Sequence, residues 1–318
     1  MIKGPIICRR RMLQLSSLGV WACFIKTEKN NQPVQQSKFN PEGEIEKRVI
    51  KSSGAKIPVI GLGTWQTFDV DNSEEERSAL REVLKTLVAK GASVIDSSPM
   101  YGASETVVGD LSAELKIRDK LFLATKVWTS GRETGINQMN ESFSKMKTKT
   151  MDLMQVHNLV DVHTHIKTLR SWKEQGKIKY FGITHYTSSA YPDLIRLIKN
   201  EKPDFVQFNY NISVREAENE LLPLAEDKGV AIIINRPFEE GALFTSVRGK
   251  NLPEWVKEYD INSWGQYFLK FIISNPAVTC VIPGTSKVKH LEDNLGAGFG
   301  KLPDQAGRKK LIEYFKNL

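Results

Sequence analysis

Eight short apolar segments recur along this 318-residue chain, and most are followed by a segment long enough for an amphipathic helix. Strands that alternate with helices in this way pair in parallel, which limits the possible folds more than any other feature. The first full unit shows the pattern: Ser73 and Glu76 form a capping pair, a helical apolar face follows, and Gly91 ends the helix. The predicted strands are Val59–Trp65, Ser93–Ser97, Leu121–Lys126, Leu153–His157, Tyr180–Thr184, Phe205–Asn209, Ala231–Asn235 and Cys280–Pro283.

Eight such units over about 250 residues match an α/β fold of the closed (β/α)8 TIM barrel type. Predicted helices between or after the strands include His163–Gln175, Glu216–Lys228, Ile261–Ser274 and Gln305–Lys316. The competing architecture is an open doubly wound sheet, which normally has G-x-G-x-x-G after its first strand. The strings GLG at 61–63 and GAGFG at 296–300 lack that spacing. We therefore expect a barrel over residues 49–318.

The composition excludes several classes of protein. Hydrophobic residues make up 40% and charged residues 26%, which argues against a disordered chain and against a membrane protein with many spans. Three cysteines cannot form a disulfide framework, and no CxxC pair suggests zinc. Residues 1–50 hold nine Lys/Arg and four Asp/Glu, so +5 of the net +8 lies there. The rest of the chain has no basic stripe, and we expect no nucleic-acid partner.

The N-terminal 26 residues are predicted to be an export signal. They contain no acid, and Arg9–Arg11 precede a modestly apolar run from Met12 to Ile25. That run is too short to span a bilayer comfortably but has the size of a signal core. The arginines resemble those of a twin-arginine signal, which implies export of a folded protein. Alternatives are a disordered basic tail and a mitochondrial-type presequence.

Three further expectations follow from this signal. Residues 27–48 are polar and are predicted to form a linker. The chain is expected to be periplasmic or anchored on the outer side of a membrane, with the export machinery as a partner; it would be cytoplasmic if the signal is misidentified. Any membrane contact is expected only through the signal or a lipid at Cys23, since LGVWAC at 18–23 loosely resembles an attachment site.

Ionisable residues follow three consecutive predicted strands where a barrel places its chemistry, at the carboxyl ends of the strands. Asp96, Lys126 and His157 lie at these ends, and Tyr101 lies in the loop just after the second strand. An ammonium near a phenol favours the phenolate, and a carboxylate holds the ammonium in place. The phenol could then donate a proton while histidine orients a carbonyl oxygen. The site still lacks a hydride donor, so a nicotinamide cofactor is needed.

Four segments with this spacing resemble the aldo-keto reductase superfamily: GLGTW (61–65), VIDSSPMYG (94–102), LFLATKVW (121–128) and LMQVHN (153–158). The resemblance extends from about Val59 to Asn294. It implies a (β/α)8 barrel that uses NADP(H) to reduce an aldehyde or ketone. Tyr101 would be the general acid, Lys126 would lower its pKa, Asp96 would pair with Lys126, and His157 would orient the carbonyl.

The resemblance also implies a set of cofactor-binding residues. Thr64 and Trp65 match positions at the ribose, and Gln207 matches the carboxamide-binding glutamine. The other positions depart from the family pattern: Thr184 and His185 replace Ser-Asn, Asn235 replaces a stacking aromatic, and Arg236, which could reach the pyrophosphate, replaces a small residue.

The last predicted strand leads into VIPGTSKVKHLEDN (281–294), which resembles the clamp for the adenosine 2′-phosphate. Gly284 replaces the usual lysine, and His290 replaces the usual arginine. Thr285, Ser286 and Lys287 remain as phosphate donors before a helix start near Val288, and Asn294 would contact the adenine. We therefore expect NADP rather than NAD.

Two other classes of function stay open at this point. A cofactor-binding sensor or regulatory subunit would use the same barrel with little turnover, and the altered cofactor residues allow it. A metal-dependent hydrolase could use His157, His163 and Asp96. We expect no metal, because His163 and His165 stand at i and i+2 of a predicted helix and point apart, as a helix cap or on a solvated face. Trp128 lies either at the substrate mouth or in ordinary packing.

Overall fold

The computed structural model describes residues 43–318. The predicted export signal, and the linker as far as residue 42, lie outside the described residues. The described part opens with a hairpin in which β1 (Lys47–Val49) pairs antiparallel with β2 (Lys56–Pro58). The predicted start of the barrel region at residue 49 therefore falls inside β1. Ile45, which precedes the hairpin, is already buried in the main hydrophobic core.

Eight parallel strands follow one another around a single sheet in chain order. Parallel bridges from Ile60 to Val281 and from Gly63 to Gly284 join the first strand to the last. These bridges close the sheet and confirm the predicted (β/α)8 barrel. The strands are β3 (Leu62–Gly63), β4 (Val94–Asp96), β5 (Phe122–Val127), β6 (Met151–His157), β7 (Ile178–Thr184), β8 (Phe205–Asn209), β9 (Ala231–Asn235) and β10 (Cys280–Val281).

The first barrel strand is shorter than the predicted Val59–Trp65. The chain leaves the sheet after Gly63 because the amides of Thr67 and Phe68 both donate to the carbonyl of Thr64, which forms a turn. This turn carries Thr64 and Trp65 onto the rim at the carboxyl end of the barrel.

Helices cover the outside of the barrel. The helices are α1 (Glu74–Ala89), α2 (Ser104–Glu114), α3 (Arg132–Lys145), α4 (Val162–Glu174), α5 (Tyr191–Glu201), α6 (Leu221–Asp227), α7 (Ala242–Ser246), α8 (Trp264–Ile273), α9 (Val288–Gly296) and α10 (Gln305–Lys316). None of the helices among residues 43–318 is long and apolar enough to cross a membrane.

Two helix starts show where local sequence rules hold and where they are modified. At α1 the hydroxyl of Ser73 accepts from the amide of Glu76, as predicted, but Asp71 rather than Glu76 accepts from the amide of Ser73. The predicted helix Glu216–Lys228 is divided, since Glu216–Glu218 form a separate 3-10 turn before α6. The predicted helix Gln305–Lys316 coincides with α10.

The barrel interior is filled at its amino-terminal end and open at the other. Inward-facing residues such as Phe122, Phe205 and Cys280 form one cluster with Ile50 and Ile57 from the hairpin, and all are buried. Each fully buried side chain of this size stabilises the fold by about 1.5–3 kcal/mol. Since apolar side chains fill this end, a ligand can enter only from the carboxyl ends of the strands.

Candidate active site

Lys126 and Asp96 form a fully buried ion pair at the ends of β5 and β4. The ammonium of Lys126 lies 2.5 Å from Oδ2 of Asp96 and donates to the carbonyl of Ser97 at 2.6 Å. The side chain of Lys126 has no exposed surface, and that of Asp96 is 3% exposed. Burial works to lower the pKa of Lys126, but Asp96 and Tyr101 outweigh it and the pKa is raised. The lysine is therefore held as a cation at neutral pH.

The second carboxylate oxygen of Asp96 is held by two amide side chains. Nε2 of Gln155 on β6 donates to Oδ1 at 3.1 Å, and Nε2 of Gln207 on β8 donates to it at 2.9 Å. A Cβ at Gly182, which pairs with Gln155 across β6 and β7, would lie 3.1 Å from the Gln155 side chain. The absence of a side chain at Gly182 thus makes room for Gln155. These contacts fix the orientation of the Asp96 carboxylate.

Tyr101 lies beside the buried ion pair, with its ring centroid 5.0 Å from the ammonium of Lys126. Burial raises the pKa of Tyr101, and Asp96 raises it further, while the charge of Lys126 and its hydrogen bond to Tyr101 lower it. The net pKa is above the ordinary value. Lys126 thus lowers the pKa of Tyr101 in the predicted direction, although burial is the larger effect and keeps the balance above the ordinary value. The phenol is fully protonated at neutral pH.

His157 is a neutral side chain. Its Nδ1 lies 3.1 Å from the hydroxyl of Ser98, and its ring contacts those of Tyr101 and Trp128 at centroid distances of 6.0 and 6.5 Å. Burial, then Lys126 and His185, lower the pKa of His157 to about 3. A neutral imidazole whose Nδ1 faces Ser98 leaves Nε2 for a hydrogen bond to a ligand oxygen.

A cavity of about 770 Å³ opens over this cluster at the carboxyl end of the barrel, and Asp96, Tyr101 and His157 are in its wall. Exposed apolar side chains are concentrated in this wall. Of the six large hydrophobic side chains exposed in the described part of the chain, five line the cavity. They are Trp65, Met100, Trp128, Tyr186 and Phe244. Exposed apolar surface concentrated in one concave site is typical of a ligand-binding surface.

The structure brings half of the predicted cofactor residues together in this wall. Those that line it are Thr64, Trp65, Thr184, Gln207, Asn235 and Arg236. Those outside the wall are His185, Thr285, Ser286, Lys287, His290 and Asn294. His185 instead uses Nδ1 to contact Thr187, and Thr285 accepts from the amide of Lys287 at the start of α9.

Several residues of the site were not predicted. Ser98, Gln155, Asn158 and Glu240 contact the cluster or line the cavity. Gln155 could have been predicted from the sequence, because it stands two positions before His157 on a strand and its side chain therefore faces the same side of the sheet. The others lie in loops, where no periodicity indicates direction.

The two histidines of the H-x-H string, His163 and His165, differ in solvent exposure and in hydrogen-bond partners. His163 is 71% exposed and lies 3.4 Å from Glu201. His165 is buried, with Nε2 at 2.7 Å from the carbonyl of Thr129, so the expectation of a cap or solvated face is wrong for His165. No group of three or more potential metal ligands is present among residues 43–318.

The cavity wall offers unsatisfied polar atoms to a nicotinamide dinucleotide. Oδ1 of Asn158, Oδ1 of Asn235 and Nε of Arg236 are buried without a hydrogen-bond partner. An amide oxygen can accept from a carboxamide, and a guanidinium can donate to a phosphate. Buried polar groups are normally satisfied, so these atoms indicate a polar ligand, and the residues present fit the cofactor.

Comparisons with known proteins identify the family of the chain. Residues 59–308 match the model of the aldo/keto reductase family. The chain is 26% identical to methylglyoxal reductase YeaE of Escherichia coli (strain K12) over 79% of this chain and 89% of that protein. It is 24% identical to L-glyceraldehyde 3-phosphate reductase of the same strain over 81% of this chain and 89% of the reductase.

The fold is also that of solved structures. An aldo/keto reductase from Klebsiella pneumoniae, in complex with NADP and acetate, superposes with a TM-score of 0.73 at 22% identity, over 85% of this chain and 96% of the other. The family match spans more than half of the chain and includes Asp96, Tyr101, Lys126 and His157. The chain belongs to the aldo/keto reductase family, whose members are NAD(P)H-dependent oxidoreductases of aldehydes and ketones.

Proposed function

We propose that this protein reduces an aldehyde or ketone to an alcohol with NADPH, and that Tyr101 donates the proton. The observation that carries the proposal is the buried contact of Tyr101 with the Lys126–Asp96 ion pair at the floor of a ligand-sized cavity. NADPH, when bound, supplies the hydride that the protein itself cannot.

The residues of the site have complementary roles in this reaction. The raised pKa of Tyr101 keeps the phenol protonated and ready to donate to the developing alkoxide. The ammonium of Lys126 then stabilises the phenolate that remains. His157, held through Ser98, donates from Nε2 to the carbonyl oxygen and orients it. Asp96 keeps Lys126 in place and limits the cost of burying its charge.

The cofactor is held by residues on several strand ends. Thr184, Gln207 and Asn235 form a connected group, because Oε1 of Gln207 accepts from the hydroxyl of Thr184 at 3.1 Å and from the amide of Asn235 at 3.4 Å. The oxygen of Asn235, which has no partner in this group, would accept from the carboxamide of the nicotinamide. Thr64 and Trp65 would hold the ribose, and Arg236 would supply a cation for the pyrophosphate.

The residues predicted to hold the adenosine end of NADP(H) lie outside the cavity wall, in α9 and in the segment just before it. Ser286, Lys287 and the start of α9 would hold the 2′-phosphate, and Thr285 positions the backbone of Lys287 by accepting a hydrogen bond from its amide. His290 would add a donor, His185 would add a polar side chain, and Asn294 would contact the adenine. Loss of the NADP preference in a Lys287→Ala variant is the expected result; an unchanged NADP-to-NAD ratio argues against this assignment.

The substrate is an uncharged carbonyl compound with an apolar or aromatic substituent. The exposed apolar side chains Trp65, Met100 and Trp128 line the cavity, and Arg236 is the only lysine or arginine among the described residues of the wall. A phosphorylated aldehyde needs a cation of its own, and the only one in the described part of this wall, Arg236, is assigned to the pyrophosphate of the cofactor. The test compares kcat/KM for benzaldehyde with that for 4-carboxybenzaldehyde, and for glyceraldehyde with that for its 3-phosphate. Equal values within each pair would contradict this substrate class.

A panel of carbonyl compounds with NADPH tests the activity itself. Oxidation of NADPH that depends on the carbonyl is the expected result. Tight NADPH binding without turnover on any member of the panel would instead favour the sensor or regulatory function.

Export is part of the same proposal and is supported by the sequence alone. Arg9–Arg11 and the apolar run after them are typical of a twin-arginine signal, which carries folded proteins. The cofactor is then bound before export and retained outside the cytoplasm, and a lipid at Cys23 would be a further anchor. Mass spectrometry of the protein purified from the exported fraction tests this. Absence from that fraction, or exported protein without nucleotide, would contradict it.

A further inference from the structure

Arg236 is the only lysine or arginine in the described wall of the active-site cavity, and its charge is already neutralised. Nη2 lies 2.9 Å from Glu239 and Nη1 lies 2.9 Å from Glu240. Nε is buried and has no hydrogen-bond partner. One guanidinium thus meets two carboxylates in a wall that should receive a polyanionic dinucleotide.

The two carboxylates differ in how firmly they are held. Glu239 is 20% exposed and also accepts a hydrogen bond from the buried amide of Asn211 at 2.8 Å. The same amide donates to the backbone carbonyl of Arg236 at 3.2 Å. Glu240 is 50% exposed and lines the cavity, whereas Glu239 does not. Glu239 is therefore held in place by Asn211 and helps to fix the loop of residues 236–240, whereas the side chain of Glu240 can turn toward solvent.

We propose that Glu240 is an internal competitor that occupies the guanidinium of Arg236 until a dinucleotide phosphate displaces it, so that this pair sets the affinity for NADP(H). The inference rests on the proposed function. A half-exposed ion pair contributes little free energy, so an incoming phosphate can break it. When the dinucleotide leaves, the carboxylate of Glu240 pairs with the guanidinium of Arg236 again, and this competition favours release.

Isothermal titration of NADP+ into the purified protein tests the competition without relying on turnover. Glu240→Gln removes the competing charge and is expected to lower the Kd by about fivefold, a change within the range of half-exposed charge interactions. Glu254→Gln is the matched control: it removes the same charge from a residue that is 87% exposed and does not line the cavity. Its Kd is expected to stay at the wild-type value.

A double-variant cycle separates competition from simple repulsion. Arg236→Met is expected to weaken NADP+ binding, and in that background Glu240→Gln is expected to give little further change. An equal gain in both backgrounds would show that Glu240 only repels the phosphates, and this would overturn the competitor role. An unchanged Kd for Glu240→Gln, with an unchanged melting temperature, would overturn it as well.

The failure of the inference can be told apart from the failure of the proposed function. A wild-type protein that binds NADP+ while Glu240→Gln has no effect contradicts only the role of Glu240. A folded wild-type protein that binds neither NADP+ nor NADPH contradicts both. Stopped-flow measurement of NADPH fluorescence adds a kinetic check, since Glu240→Gln is expected to slow cofactor release.

Discussion

The side-chain amide of Gln207 donates to Oδ1 of Asp96 at 2.9 Å, although the two residues are 111 positions apart. The same side chain lines the cavity and accepts from Thr184. One glutamine thus joins the predicted cofactor residues to the buried ion pair of Asp96 and Lys126. A change at the cofactor site can therefore reach Lys126, which lies beside Tyr101, through two hydrogen bonds.

Two matched variants separate the two roles of Gln207, which holds Asp96 and also lines the cavity. Gln207→Met and Gln155→Met each remove one amide donor to Asp96, and each is expected to cost about 1–3 kcal/mol of unfolding free energy. Only Gln207 lines the cavity, so only Gln207→Met is expected to raise the Kd for NADP+, by about tenfold. Urea unfolding and titration calorimetry measure the two effects. Equal changes in Kd would mean that Gln207 acts on the cofactor only through Asp96.

Lys126→Met is expected to destabilise the protein strongly because it leaves the carboxylate of Asp96 buried without its cation. Breaking such a pair costs about 3–5 kcal/mol. Adding Asp96→Asn removes the unpaired charge, so the double variant should recover most of the stability but none of the reductase activity. A double variant as unstable as Lys126→Met would show that the loss comes from packing rather than from the unpaired charge.

The pKa of about 3 at His157 predicts a specific pH dependence of stability. In the unfolded chain this histidine titrates near 6.5. Between these values the unfolded chain holds a proton that the folded chain does not, so stability falls as the pH drops below 6.5. Relative to His157→Gln, the wild type should lose about 2 kcal/mol of unfolding free energy from pH 6.5 to pH 5. Parallel stability curves for the two proteins would contradict the buried neutral imidazole.

Lys270 is expected to hold the C-terminal part of the barrel together. Its buried ammonium donates to the carbonyls of Tyr259, Phe299 and Lys301 at 2.6, 2.7 and 3.0 Å. Lys270→Met leaves these acceptors unsatisfied and is expected to cost about 3 kcal/mol. Lys257→Met is the control, because Lys257 is 70% exposed and pairs only with exposed Glu254. Similar unfolding free energies for the two variants would argue against a stabilising role for the three hydrogen bonds from Lys270 to these carbonyls.

The barrel and its reactive cluster could be predicted because both depend on short-range pattern. Alternating apolar segments fix parallel pairing, and parallel pairing places Asp96, Lys126 and His157 at one end of the sheet. The β1–β2 hairpin was missed because its strands have three residues each, too few for periodicity to show.

Loop contacts and net pKa values could not be predicted for physical reasons. Arg236, Glu239 and Glu240 all have positive φ, and such a loop gives no regular direction to its side chains. The pKa of Tyr101 is a balance in which burial opposes Lys126, and the depth of burial is known only once the fold is formed. The spacing of residues along the sequence predicts which charged groups lie near Tyr101, but it does not predict how much burial raises the pKa of the phenol.

The central claim is that Tyr101 donates the proton during reduction of a carbonyl compound by NADPH. Tyr101→Phe removes only the hydroxyl, and kcat with the best aldehyde of the panel should fall by about a thousandfold. The Kd for NADPH should stay within about twofold of the wild type, because the phenyl ring preserves the cavity wall. Carbonyl-dependent oxidation of NADPH by the folded Tyr101→Phe variant at the wild-type rate would contradict the account.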